Sequence, residues 1–134
     1  MGAWDYGFFD NDAALDCVDA IEDSENPRAF FKRAFSDALK STYLDQDDAH
    51  AVTVSAVYID FLLNGTHYGE DHENLLSFAN AHPKLKVDDL RGEAVKALQK
   101  VIGPDSELQQ LWAENAEDFP SWKRTIEDLI GRLK

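Results

Sequence analysis

Between Asp45 and Gly65 runs QDDAHAVTVSAVYIDFLLN, about twenty residues in which alanine, valine and larger apolar side chains fall on nearly every face of a helix. This stretch constrains the fold most, because a helix apolar almost all round must be buried on more than one side. Other elements therefore have to surround it, and its expected place is the centre of a bundle. Asp45 is the expected N-cap, Asp47 and Asp48 sit in the first turn where the helix dipole favours anions, and Gly65 is the expected C′ residue. The β-branched run TVSAV also suits a strand, but the length between clean caps selects the helix.

The flanking segments supply what must pack on it. Ala14, Cys17, Val18 and Ile21 form a stripe on a first helix expected from Asn11 to near Asp23. Asn26-Pro27 starts a second helix over 27–41, with Phe30, Phe31, Ala34, Phe35, Ala38 and Leu39 as its core side. A short helix near 72–81 carries Leu75, Leu76, Phe78 and Ala79. Leu90, Ala94, Val95, Leu98, Val101 and Ile102 predict another over 88–102, ended by Gly103-Pro104. Asp105 is expected to cap SELQQLWAEN, with Leu108, Leu111 and Trp112 on one side. Trp122, Ile126, Leu129, Ile130 and Leu133 predict a last helix over 119–133. No strand pattern or repeat is visible. The expectation is an all-α fold: one domain over 1–134, a compact bundle of six to seven helices with an irregular N-terminal arm packed on it. A chain of 134 residues can bury roughly two-thirds of its unfolded surface in one core.

The arm is the stretch MGAWDYGFF. Trp4, Tyr6, Phe8 and Phe9 are spaced unevenly among Gly2, Asp5 and Gly7, so no helix or strand brings them all to one face. Docked on the bundle, each aromatic fills a gap and buries ~150–250 Å². Left exposed, the same residues make an aromatic and acidic patch suited to a partner. Asp10-Asn11-Asp12 then reads as the start signal of the first helix.

Charge is the compositional outlier. Thirteen basic residues face 26 acidic ones, a formal net charge of −13. Residues 1–26 and 45–82 contain no lysine or arginine, whereas 27–44 and 83–103 are net positive. Such a chain repels nucleic-acid phosphates and anionic lipid, so direct nucleic-acid binding is not expected. It fits either plain solubility or recognition of a basic protein. The single cysteine, Cys17, allows no internal disulfide and fits a reducing, cytoplasmic compartment, and no apolar run reaches membrane-spanning length.

Motifs for chemistry fail one by one. Asp45-Gln-Asp47 and Asp10-Asn-Asp12 begin like calcium loops, but Ala49 and Ala14 stand where the next ligands belong. His67, Asp71 and His72 cluster with Glu70 and Glu73 in the longest loop, a candidate divalent-metal set without an HExxH or paired-cysteine pattern. There is no Gly-x-Ser-x-Gly elbow, no reactive-cysteine signature and no glycine-rich phosphate loop. Cys17, on an apolar stripe, is expected to behave as a small hydrophobe. No cofactor is implied and no catalytic residue assigned.

MGAW, Gly7 and Phe9-Asp10-Asn11-Asp12-Ala13 resemble the opening of the bacterial family known as domain of unknown function 4259, whose pattern is Gly-x-Trp-Gly-x-Gly-x-Phe-Asx/Glu-Asn-Asp-x-Ala. YLDQDDAHAVTVSAVYI resembles its acidic-start, alanine-rich central helix, and PDSELQQLWAE with the following W-x3-I-x2-L-x3-L resembles its closing region. Asp5 departs from the pattern, standing where the family commonly has glycine, and 64–86 looks particular to this chain. The resemblance implies a mostly helical bacterial protein and carries no activity with it.

The leading expectation is a non-enzymatic interaction protein, immunity-like or antitoxin-like, that binds a basic partner. Its surface is expected at Trp4, Tyr6, Asp10, Asp12, Asp16, Asp45, Asp47 and Asp48. The competing classes are a nucleic-acid mimic using the rows of carboxylates near 10–25 and 45–48, a small metal-assisted hydrolase using the 67–73 loop, and a stand-alone protein without catalysis.

Overall fold

The computed structural model describes residues 12–68 and 72–134. Seven α-helices lie within them: α1 (Asp12–Asp23), α2 (Pro27–Lys40), α3 (Gln46–Asn64), α4 (His72–Ala81), α5 (Arg91–Val101), α6 (Glu107–Ala113) and α7 (Phe119–Leu133). The described residues contain no β-strand, so the fold is all-α as its periodicity predicts.

The central place of α3 follows from its composition. Every residue from Val52 to Phe61 is buried, nearly three turns without a solvent-facing position. α1, α2, α5 and α7 pack around it, and α4 and α6 also touch it. Its ends are tied as the residues require. The Asp45 carboxylate accepts from the Asp48 N–H at 2.8 Å, and Gly65 takes the left-handed conformation (φ 68°) while donating its N–H to the Phe61 carbonyl at 2.9 Å. α2 opens on Asn26, whose side chain accepts from the Ala29 N–H, with Pro27 at its first position. Phe31, Ala34, Phe35 and Ala38 of α2, Ala94, Ala97, Leu98 and Val101 of α5, and Trp122, Ile126, Leu129, Ile130 and Leu133 of α7 complete the core.

Several local expectations are corrected. The 88–102 segment is two pieces, a 3₁₀ turn at Asp88–Leu90 followed by α5; Val87 supplies no side-chain cap, and the turn closes through the tighter Arg91 N–H to Asp88 carbonyl bond. Ser106, not Asp105, caps α6, its hydroxyl accepting from the Gln109 N–H at 3.3 Å. The reason is a backbone bridge: Leu44 donates to the Asp105 carbonyl and accepts from the Glu107 N–H, both at 2.8 Å, which leaves Ser106 extended at the helix start. The Glu107 carboxylate then accepts from the Gln46 N–H at 2.8 Å, so one short link satisfies donors at the start of α3 as well.

Leu39, Leu76 and Leu111, expected on inward stripes, are 40, 45 and 44% exposed. Leu39 and Leu76 each follow a fully packed residue, Ala38 and Leu75, and one step further round the helix turns them outward; on α6 the inward position goes to Leu108. Cys17 is half-buried rather than fully enclosed. Trp112 and Trp122 are packing residues, as expected, stacked with centroids 5.8 Å apart and planes 9° from parallel.

Candidate functional site

α1 and α2 pack on α3, and the outer edge of that contact gathers carboxylates from distant parts of the chain. Asp16 of α1 and Asp47 in the first turn of α3 line one groove of about 460 Å³, whose other lining residues among those described are Cys17, Ala20 and Phe30. Asp48 lies beside Asp47, half-buried, with its carboxyl held above the usual range first by burial and then by the negative charges of Asp45, Asp37 and Asp47. The Cys17 thiol is pushed up to about 11, first by burial and then by Asp16, Asp47 and Asp48. These aspartates therefore share one electrostatic field with the thiol at its inner side. Asp45 remains exposed, but its carboxylate is engaged in capping α3.

Of the other candidate surface residues, Trp4, Tyr6 and Asp10 lie outside the described residues, as does the rest of the N-terminal arm. Asp12 opens α1. In the 67–73 loop His67 is exposed, Asp71 lies outside the described residues and His72 is the first residue of α4. Among the described residues no group of three or more His, Cys, Asp or Glu is placed to hold a metal ion.

Sequence reasoning missed the most elaborate polar cluster. Asp60, with no exposed surface, sits near the end of α3 among apolar neighbours. Its Oδ1 accepts from Asn64 Nδ2 at 2.7 Å, and its Oδ2 accepts from Arg132 Nε at 2.8 Å and from the Tyr68 hydroxyl. Arg132 also donates through Nη2 to the Tyr68 oxygen at 3.3 Å and lies 5.9 Å from the centre of that ring, while Asn64 Nδ2 reaches the Arg132 carbonyl at 3.1 Å. Burial first, then the bond to Asp60, hold the Tyr68 phenol far above its ordinary value. The cluster joins α3, the chain just beyond Gly65 and the end of α7, and its geometry is that of a clamp: each polar group is spent on another. The available signal was one acidic residue inside YIDFLL, a buried charge that demands a partner.

A second charged feature joins the two net-positive segments. Arg28 clasps Asp89 with Nη1 and Nη2 at 2.7 and 2.6 Å and donates to the Lys86 carbonyl at 2.9 Å. Arg28 is partly and Asp89 well exposed, so the pair fixes the approach of α2 to the loop before α5 more than it stabilises the fold. The adjoining pocket of about 530 Å³ mixes Lys84 and Lys86 with Asp88 and Asp89.

These features define an all-α protein with a buried polar clamp and a groove lined in part by carboxylates. The chain belongs to the family described as domain of unknown function DUF4259, whose model matches residues 2–125. Neither the comparison with curated proteins nor that with solved structures returns a match. No helix among the described residues is long and apolar enough to cross a membrane.

Proposed function

We propose that this protein is a non-catalytic binding protein that engages a basic protein partner through the acidic edge formed by α1 and the start of α3. The carrying observation is the meeting of Asp16 with Asp47 in one groove, beside Asp48, whose carboxyl is raised first by burial and then by the neighbouring carboxylates. Like charges held together are unfavourable for the isolated fold, and an incoming cation relieves that repulsion while steering its own encounter. The net charge of −13 extends the attraction beyond the edge and repels nucleic acid. The free thiol of Cys17 fits a reducing, cytoplasmic setting. The immunity-like or antitoxin-like role is the form this reading takes if the partner is a toxic basic protein.

The test compares three proteins as bait in host lysate: the wild type, Asp16→Asn/Asp47→Asn/Asp48→Asn, and a control with equal charge change at Glu114, Glu117 and Asp128. A basic protein retained by wild type and control at low salt, and lost by the first variant, supports the reading. Retention indifferent to both variants and to salt ends it.

A further inference from the structure

We propose that the groove between α1, α2 and α3 receives a single basic side chain of the partner, arginine or lysine, its aliphatic stem against Phe30 and Ala20 and its cationic head between Asp16 and Asp47. This rests on the reading above and specifies the chemistry of that same edge. The two carboxylates come from different helices, whereas the other described lining residues, Cys17, Ala20 and Phe30, are apolar. No lysine or arginine is among the described lining residues, so these offer negative charge without a counter-ion of their own. A small inorganic cation would use the carboxylates and leave the Phe30 and Ala20 walls wet. An apolar side chain would cover those walls and leave the carboxylates facing carbon. A long cationic side chain matches both halves, since lysine and arginine bury their stems along apolar surface while the head stays polar, and a guanidinium also gains on an aromatic face. The volume, about 460 Å³, lies in the range of small-ligand pockets and admits the side chain with part of its backbone. Asp16 and Asp47, which add to burial in raising the Cys17 thiol, are the carboxylates the head would meet.

The isolated protein suffices for the test, so its outcome does not depend on finding the partner. Labelled protein is titrated with N-acetyl-arginine methylamide and, in parallel, with the citrulline and norleucine analogues, while amide cross-peaks are followed by NMR. The expected result is a saturable millimolar shift confined to the neighbourhood of Cys17, Ala20, Phe30 and Asp47 with the arginine compound only. Asp16→Asn/Asp47→Asn should abolish it, and Ala20→Lys, which supplies an internal cation and keeps both carboxylates, should weaken it several-fold. Equal shifts with citrulline or norleucine, insensitivity to the double variant, or no shift at the groove would overturn the proposal. If the groove fails this titration while lysate retention still depends on the acidic edge, only the specific pocket is lost. If the groove binds arginine and no partner is retained, only the wider reading is lost.

Discussion

Replacing Arg132 by Met keeps the length of the side chain and removes the cation from the Asp60 clamp. Asp60 would keep its bonds from Asn64 and Tyr68 but lose the charged donor at 2.8 Å, with no exposed surface through which water can compensate. Removing one member of a fully buried ion pair costs about 3–5 kcal/mol. The Arg132 side chain is 29% exposed, which lets solvent screen part of the pair, so the expected loss falls at or just below that range, about 2–3 kcal/mol. For a chain of this size that loss lowers the melting temperature by about 10 °C. Urea unfolding of wild type, Arg132→Met, Asp60→Asn and the double variant measures the coupling. The double variant should lose clearly less than the sum of the singles, because a neutral amide at position 60 no longer needs the guanidinium. A single-variant loss below about 0.5 kcal/mol, or simple additivity, would refute the clamp as described.

Other consequences are more local. Asp45→Ala removes the cap bonded to the Asp48 N–H and should cost about 1 kcal/mol in thermal or urea unfolding. The Cys17 thiolate absorbance should titrate near pH 11, and Asp16→Asn/Asp47→Asn should move that midpoint down; an ordinary thiol titration in wild type would count against the field at the groove. His50 is buried in α3 and its imidazole is pulled below 6.5, mainly by burial and against the opposing effect of Asp47. The unfolded chain then takes up the proton first, so stability should fall as pH drops below about 6.5. His50→Gln should flatten that slope below about pH 6.5.

Much of the fold was legible because α3 carries its own evidence. Its caps, length and all-round apolar surface place it at the centre, and the neighbours need only one apolar stripe each. What misled was the assumption that each leucine near a stripe faces inward: Leu39, Leu76 and Leu111 sit at stripe edges, where a partner helix decides and local spacing does not. The Ser106 cap depended on the Leu44 bridge, a contact between segments about sixty residues apart. The groove was half legible. Asp16 and Asp47 were visible as acids, but only packing of α1 and α2 on α3 brings Phe30 and Ala20 into one groove with them. The clamp needed a partner for Asp60 from the far end of α7, which no local pattern names.

The α1–α3 acidic edge is the binding surface we propose. Its most direct test is the affinity of the purified basic partner for wild type and for Asp16→Asn/Asp47→Asn/Asp48→Asn at low and high salt. The predicted result is at least a tenfold loss in the variant at about 50 mM salt, closing as salt rises past about 0.5 M because screening removes what the carboxylates contribute. Equal affinities for the two proteins at low salt would contradict it.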